Sequence, residues 1–239
     1  MFDFLKPKSQ ALIPLTADIH SHLLPQLDDG AKTWEEAIDL IRSFKELGFS
    51  KLITTPHIMQ DHYRNDPATI QNKILELKQK LIENKISIEI EAAAEYYLDE
   101  ELYRRLTNHE ELLTFGNRYL LFETNFLSEP LNSKEFIFAA LSSGYRLVLA
   151  HPERYHYMNV EKARDLRDRG VLFQINIPSL VGYYSKPIQK MAYQLIDRGW
   201  IDFLGSDCHN MIHLELMQEA KKNKYYQKAL ALPLLNHSL

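Results

Sequence analysis

Seven short apolar runs recur along the chain, and segments of helical periodicity separate most of them. The runs are PLTADIH, SKLITTPH, ISIEIEAAAE, RYLLFET, YRLVLAHP, VLFQINI and WIDFLGSD. Their length and their content of branched and aromatic residues are typical of buried strands. Strands that alternate with helices through short connections are usually parallel. The pattern therefore predicts an α/β fold, either a closed (β/α)7 barrel or an open doubly wound sheet.

The segments between the runs carry helix signals. TWEEAIDLIRSFKELG begins at a capping box, Thr33 with Glu36, and ends at Gly48. Further helices are predicted at 67–84, 131–143, 160–169 and 186–198. No linker rich in proline, glycine or serine interrupts the series. We therefore expect a single domain over residues 1–239, with a core at about 16–210 and a helical tail, 211–239, packed on it.

Composition excludes several classes of protein. Cys208 is the one cysteine, so no intramolecular disulfide can form, and a reducing compartment is expected. The formal charge of −4 provides no overall field that would attract nucleic acid. No run approaches the roughly 20 apolar residues of a spanning helix, and MFDFLKPKSQALIPL lacks the apolar core of a signal peptide. We expect a cytoplasmic protein that does not insert into membranes.

Residues of the types that bind metal ions follow six of the seven runs. They are His20 and His22, His57, Glu95, Glu123, His151, and Asp207 with His209. Only the sixth run ends without one, at Asn176. The carboxyl ends of parallel strands converge on one face of the fold, so residues far apart in sequence meet there. The pattern predicts a metal site at that face.

The spacing of two residues in the H-x-H motif lets both of its side chains bind the same ion. Alternation along a strand puts positions i and i+2 on the same side, so both imidazoles of His20 and His22 can reach one ion. Asp207 and His209 repeat this spacing, and Cys208 between them is expected to point away and be buried. Imidazole and carboxylate ligands without thiolate favour Zn, Mn or Fe over Ca or a structural zinc.

The remaining histidines do not follow the runs. His62, His109, His156 and His237 are expected to be solvated, and the role of His213 stays open. The stretch PHIMQDHYRNDPATI is long for a connection between a strand and a helix. It is interpreted either as a cover for the site or as a surface loop.

The motifs DIHSH, DDG, TPH, AAAEYY, FET, AHPERY and SDCHN occur in this order. Together they resemble the polymerase and histidinol phosphatase (PHP) superfamily, and more narrowly its bacterial tyrosine-protein phosphatases of capsular and exopolysaccharide systems. The resemblance covers about 18–210. It implies a distorted, TIM-like (β/α)7 barrel with three divalent ions at the carboxyl ends of the strands, with Mn the first choice and Zn or Fe as alternatives.

The resemblance also implies residue roles. The ligand sets would be His20, His22, Glu95 and Asp207 for the first ion, Glu95, Glu123 and His151 for the second, and Asp29, His57 and His209 for the third. Arg154 would bind phosphate, with Asp207 and His209 also in catalytic roles. Asp28 has no assigned role. A second arginine, present in many relatives after the last motif, is missing from SDCHNMIHLELM.

The implied activity is hydrolysis of phosphotyrosine by metal-bound hydroxide, on a tyrosine kinase of polysaccharide export. Metal coordination lowers the pKa of water from about 15.7 to about 7, and phenol, with a pKa of about 10, leaves more easily than an alkyl alcohol. A cysteine-dependent phosphatase is excluded, because the C-x5-R loop would need arginine where Leu214 stands.

Three alternatives stay open at this point. A small-molecule phosphomonoesterase resembling histidinol phosphatase would share every metal ligand. A metal-dependent amidohydrolase also uses an H-x-H motif and a late aspartate, but commonly without the two intervening glutamates. A regulatory module with a decayed site is the third, and the complete ligand set argues against it.

Overall fold

The computed structural model describes residues 12–239. Most of the segment on which the absence of a signal peptide was predicted, residues 1–11, lies outside the described residues. The strands are β1 (Ala17–Asp18), β2 (Lys51–Thr54), β3 (His57–Ile58), β4 (Glu89–Ala92), β5 (Glu95–Tyr97), β6 (Tyr119–Glu123), β7 (Arg146–Ala150), β8 (Leu172–Asn176) and β9 (Phe203–Gly205). The α-helices are α1 (Trp34–Glu46), α2 (Pro67–Glu83), α3 (Glu100–Thr107), α4 (Ser133–Ser142), α5 (Val160–Asp168), α6 (Lys186–Asp197), α7 (Met211–Ala220) and α8 (Lys224–Leu230).

All seven predicted runs form strands, and two of them are split. The second run gives β2 and β3, separated at Pro56, whose ring nitrogen has no proton to donate to a neighbouring strand. The third run gives β4 and β5, separated by two alanines. Both breaks come directly before a predicted metal ligand, His57 or Glu95, and these two residues are paired across β3 and β5.

Every strand pairing is parallel, and neighbouring strands follow chain order. One sheet has the order β1-β2-β4, and the other has the order β3-β5-β6-β7-β8-β9. A parallel bridge from Ser21 to Cys208 also joins the segment after β1 to the segment after β9. A doubly wound sheet reverses its strand order partway, and this one does not. The structure is therefore an α/β fold of parallel strands in two sheets.

The strands are buried on both faces. One apolar cluster includes Ile19, Ile53, Leu121, Val148 and Phe203 from five different strand runs. A larger cluster fills the space between the strands and the helices. Parallel strands covered on both faces are expected to be almost continuously apolar, which accounts for the composition of the runs.

The predicted helices are confirmed as α1, α2, α4, α5 and α6. At the start of α1 the Thr33 side chain accepts a hydrogen bond from the Glu36 backbone nitrogen at 3.2 Å, as the capping box predicts. The sequence analysis missed α3, which has only eight residues, and it gave α7 no bounds of its own within the helical tail predicted at 211–239. No described helix has the length and apolarity needed to cross a membrane.

The segment after α7 packs against the strands, as expected for the tail. Tyr226 and Leu234 are buried there. The amide of Asn236, also buried, donates to the carbonyl oxygens of Ala17 at 3.0 Å and Leu204 at 2.9 Å, and it accepts from the Leu204 nitrogen at 3.0 Å. One side chain thus bonds to the backbone of both β1 and β9.

Replacing Asn236 by leucine keeps the volume but leaves buried backbone groups of β1 and β9 without partners. Each such loss costs about 1–3 kcal/mol, so we expect the free energy of unfolding to fall by about 2–4 kcal/mol. Urea denaturation measures it, with Asn84→Leu as the control at an exposed helix end. Equal, small effects of the two substitutions would contradict this role for Asn236.

Candidate metal centre

The structure brings all nine predicted metal ligands together at the carboxyl ends of the strands. His20, His22, Glu95, Glu123, His151 and Asp207 are buried. The side chains of His57 and His209 are 12% and 16% exposed, whereas that of Asp29 is 54% exposed. Eight side chains from the ends of six strand runs, together with Asp29 of the DDG loop, therefore form one cluster with a buried inner part and an accessible edge at Asp29.

Four ligand atoms form the tightest group. The Nε2 atoms of His20 and His22 lie 3.3 Å apart. Glu95 Oε2 lies 3.1 Å from the first nitrogen and 3.6 Å from the second, and Asp207 Oδ1 lies 3.5 Å from each. Atoms that bind one ion at about 2.0–2.2 Å in a tetrahedron are themselves separated by about 3.3–3.6 Å. The His20, His22 and Glu95 atoms therefore fit a single divalent ion, and Asp207 Oδ1 lies at a similar distance from both imidazoles.

The second oxygen of Glu95 faces a different set of residues. Glu95 Oε1 lies 3.1 Å from His151 Nε2, which is 3.9 Å from Glu123 Oε2. His57 Nδ1 also approaches, at 3.1 Å from Glu95 Oε2 and 3.2 Å from Glu123 Oε1, without hydrogen-bond geometry to either. His57, Glu95 and Glu123 thus form a second group that could hold an ion, so His57 lies nearer the second set than the resemblance implies.

A third group lies at the accessible edge. Asp29 Oδ1 is 3.2 Å from His209 Nε2 and 3.7 Å from His57 Nε2. Ligand atoms of these three residues and of His22 all lie within 4.8 Å of one another. The set predicted for a third ion is therefore together, with one additional imidazole.

Two of the clustered residues have unusual backbone conformations. His151 has a φ of 36° and Asp207 a φ of 50°, in the left-handed region that glycine favours. Such conformations cost about 1–3 kcal/mol each and are concentrated at functional sites. Around Asp207 the turn is fixed by its own backbone nitrogen, which donates to the His20 carbonyl at 2.8 Å.

The two aspartates of the DDG motif have different surroundings. Asp28 is turned inward: its Oδ2 accepts from His22 Nδ1 at 2.7 Å and from the His57 backbone nitrogen at 3.1 Å, and its Oδ1 accepts from the Gly30 nitrogen at 3.0 Å. Burial would raise the pKa of Asp28, but the charge of His22 outweighs it and lowers that pKa. Asp28 therefore orients His22, while Asp29 faces the ligand group.

Gly30 completes this motif because no larger residue fits. A Cβ atom there would lie 2.2 Å from the His22 carbonyl oxygen, which a real atom never does.

Opposite charges compensate for burial in the inner part of the cluster. Burial lowers the pKa of His20, but Glu95 and Asp207 more than offset it and raise that pKa to about 9. The pKa of Glu95 and that of Asp207 are both held well below their usual range, despite burial, by the surrounding imidazoles. A cation bound among these groups would replace protons in balancing the carboxylate charge.

A cavity of about 400 Å³ opens onto the cluster. Besides ligand residues it is lined by Met59, His62, Tyr97, Asn125, Phe126 and Arg154. His62, which was expected to be solvated, is exposed, and it also borders the cavity. Phosphate-sized substrates can reach the candidate ligands through this opening.

The long segment after β3 forms one wall of the cavity. Met59 and Tyr63 are joined by two backbone hydrogen bonds of 2.9 Å, and the Tyr63 ring stacks on His57 at 5.3 Å. Asn65 donates to the carbonyl oxygens of Leu27 and His57, each at 2.8 Å. Of the two interpretations of this segment, its position supports the one in which it borders the site.

Arg154 lies between two aromatic rings beside the cluster. Its guanidinium carbon is 4.7 Å from the Phe126 ring centre and 4.4 Å from that of Tyr184, and its Nη1 donates to Asp207 Oδ2 at 2.9 Å. Stacking on two aromatic faces restricts the guanidinium to one plane. The predicted phosphate-binding arginine is therefore held at the cavity, with one of its nitrogens bonded to a candidate ligand.

His213 lies on α7, four residues after His209 of the SDCHN motif. It is buried, with Nδ1 2.8 Å from the Asp207 carbonyl oxygen and 3.2 Å from the His209 backbone nitrogen. These bonds hold the turn through the SDCHN motif, and His213 belongs to none of the three ligand groups. Cys208 is buried in the same turn, as predicted.

Sequence reasoning missed several residues that contact the cluster. Gln174 and Asn176 come from the run that ends without a ligand, and Tyr184 and Phe126 hold Arg154. Alternation along VLFQINI was a usable signal, because it places the two amides on the same face as the neighbouring strand-end ligands.

These features define an α/β protein with a buried cluster of imidazoles and carboxylates suited to divalent ions. The sequence profile of the family described as "Capsular polysaccharide synthesis, CpsB/CapC" matches residues 16–229. The chain belongs to this family.

Two curated relatives have similar lengths. The putative tyrosine-protein phosphatase CapC of Staphylococcus aureus is 28% identical over 218 residues, which cover 88% of this chain and 86% of the relative. The tyrosine-protein phosphatase YwqE of Bacillus subtilis is 30% identical over 196 residues, which cover 81% and 77%.

A solved structure agrees with this assignment. It comes from crystal structures of YwqE from Bacillus subtilis and CpsB from Streptococcus pneumoniae, described as unique metal-dependent tyrosine phosphatases. The match has a TM-score of 0.78 and 29% identity, and it covers 90% of this chain and 85% of the other.

Substitution of the paired aspartates tests their different roles. In chelator-treated protein, Asp28→Ala leaves three donors without their acceptor, so the free energy of unfolding should fall by about 2–4 kcal/mol. Asp29→Ala changes an exposed side chain and should cost under about 1 kcal/mol. Denaturant unfolding of the two variants measures the contrast, and equal losses would refute it.

Proposed function

We propose that this chain is a metal-dependent tyrosine-protein phosphatase that acts on a tyrosine kinase of capsular or exopolysaccharide export in the cytoplasm. The observation that carries the proposal is the placement of Glu95, whose two oxygens face separate ligand groups at the floor of an open cavity. The names of the relatives, all described as tyrosine-protein phosphatases, support the choice of substrate.

We assign three divalent ions to the cluster, with Mn the first choice. His20, His22, Glu95 and Asp207 would hold the first, Glu95, Glu123 and His151 the second, and Asp29, His57 and His209 the third. Bound ions would supply Lewis acidity toward phosphate oxygens and make water nucleophilic near neutral pH. His57 would stand between the second and third sets, since each of its ring nitrogens faces one of them.

The protein's own residues would bind and orient the phosphate. Arg154 is 23% exposed, so guanidinium nitrogens not bonded to Asp207 can donate to phosphate oxygens in the cavity. Because Phe126 and Tyr184 keep the guanidinium in one plane, little side-chain freedom remains to be lost when phosphate binds. The four carboxylates carry less negative charge than three divalent ions carry positive charge, so the occupied site would attract an anion.

The cavity suits an aryl phosphate. Met59, Tyr97 and Phe126 supply apolar and aromatic surface on its walls, against which a tyrosyl ring can pack. The leaving phenolate needs less protonation than an alkoxide, so a dedicated general acid is not required.

We further propose that the two sheets together form the distorted seven-stranded barrel that the resemblance implies, within one domain. The strand runs are neighbours in chain order, and the Ser21–Cys208 bridge joins the last run to the first. The Asn236 amide supports the same junction at the opposite ends of β1 and β9.

Activity with defined substrates tests the function. Protein loaded with Mn should release phosphate from phosphotyrosine peptides, and a chelator should abolish the release because the ligand cluster would then be empty of ions. Histidinol phosphate is the comparison substrate, and phosphate release is measured for both. Faster turnover of histidinol phosphate would favour a small-molecule phosphomonoesterase instead.

Replacement of Arg154 tests the phosphate contact. Arg154→Lys keeps a positive charge but loses the planar stack and the paired donors, so kcat/KM should fall by about 10²-fold. Steady-state kinetics and metal content measure the effect. Arg118→Lys is the control, because Arg118 also lies over a tyrosine ring, at 4.5 Å from that of Tyr145, but away from the cavity. Equal kinetics for both variants would contradict the assignment.

A further inference from the structure

We propose that Gln174 and Asn176, on β8, the strand of the one run that supplies no candidate ligand, are positioning residues. They fix which nitrogen of His20 and which oxygen of Asp207 face the first ion. This inference rests on the proposed function, because it concerns the same ion.

Three short hydrogen bonds connect the two ligands through β8. His20 Nδ1 lies 2.8 Å from Gln174 Oε1, and Gln174 Nε2 donates to Asn176 Oδ1 at 2.8 Å. Asn176 Nδ2 then donates to Asp207 Oδ2 at 2.7 Å. All four side chains are almost completely buried, so water does not compete for these bonds.

The carboxylate at one end sets the direction of every bond. Ionised Asp207 can only accept, so Asn176 must present its NH2 group to Asp207 and its oxygen to Gln174. Gln174 must then donate to that oxygen, which turns its own oxygen toward His20. A proton is therefore required on His20 Nδ1, so the neutral imidazole that binds an ion must have its lone pair on Nε2.

That free Nε2 atom belongs to the tight four-atom group described above. It lies 3.1 Å from Glu95 Oε2 and 3.3 Å from His22 Nε2. The bond to Gln174 thus selects the imidazole tautomer that an ion at this position needs.

The same chain distinguishes the two oxygens of Asp207. Its Oδ2 accepts from Asn176 and from Arg154, and the Tyr184 hydroxyl lies 3.4 Å away. Its Oδ1 lies 3.5 Å from both imidazoles of the H-x-H motif. One oxygen is therefore supported by the protein, and the other is left for the ion.

The Gln174 amide packs directly against Gly205, which has no side chain. A Cβ atom on Gly205 would lie 2.7 Å from Gln174 Nε2 and 3.0 Å from the Cβ atom of His20. Gly205 is paired with Asn176 across β8 and β9. Because Gly205 on β9 has no side chain, the Gln174 amide can occupy the space beside it.

His22 is held in the same manner by a group of different charge. Its Nδ1 faces the Asp28 carboxylate at 2.7 Å, whereas His20 faces a neutral amide. Gln174 therefore selects the tautomer without adding another buried negative charge to the cluster.

Substitutions of nearly constant volume separate this role from packing. Gln174→Leu removes the acceptor for His20, and Asn176→Asp places a carboxylate oxygen against Asp207 Oδ2. Both should weaken binding of one ion by about 10–100-fold, as is usual for loss of such partners. Gln189→Leu, on α6 and away from the cluster, is the control.

The measurements use the full chain. Zn affinity and stoichiometry come from competition with a chromogenic chelator, and far-UV circular dichroism confirms that each variant is folded. Two-dimensional ¹H–¹⁵N spectra of the Zn-loaded protein report the His20 tautomer. The Nδ1 proton should persist in Gln174→Glu, which keeps an acceptor, and should be lost or redistributed in Gln174→Leu.

The outcomes separate this inference from the proposed function. Suppose that the unmodified chain binds Zn and hydrolyses phosphotyrosine peptides. If Asn176→Asp and Gln174→Leu then keep full Zn affinity and an unchanged His20 spectrum, the positioning role is refuted and the function stands. If the unmodified chain binds neither Zn nor Mn, the function and the positioning role are both refuted. Added negative charge alone would strengthen cation binding, so a loss in Asn176→Asp supports the network specifically.

Discussion

The Glu95 carboxylate is the group on which the rest of the site depends. It is completely buried, which by itself would favour the neutral acid, yet imidazoles on several strand runs lower its pKa well below the usual range. That balance exists only if His57, at the start of β3, and His151, after β7, both reach the start of β5, where each has a ring nitrogen 3.1 Å from a Glu95 oxygen. The parallel register of the sheet provides this alignment.

Much of the architecture was readable because two signals agreed. Each of the seven apolar runs contains a strand, as predicted. Residues of metal-binding types at the ends of the runs predicted the cluster, because parallel strands bring their carboxyl ends together. The breaks before His57 and Glu95 were not readable, because they depend on how neighbouring strands meet. Helix α3 was missed because eight residues give too few turns for a clear period.

Residues that support the cluster were harder to predict than the cluster of candidate ligands itself. Asp28 and Asp29 are chemically identical, and only the folded backbone places one against His22 and the other at the accessible edge. Asn176 was noted for lacking a metal-binding group, although its amide contacts a ligand directly. Amides and second carboxylates act through geometry that depends on the whole fold, so residue type and spacing alone do not reveal them.

The contact of Gly205 with Gln174 and His20 limits how this part of the chain can vary among relatives. In a relative with a side chain at position 205, a glutamine amide at 174 must leave the position it has here, so the two positions are expected to change together. If a smaller residue replaces Gln174, the Asn176 amide loses its hydrogen-bond partner, and a different acceptor must reach His20 Nδ1. Change at these positions is therefore expected in coordinated sets, even though none of the three residues touches an ion.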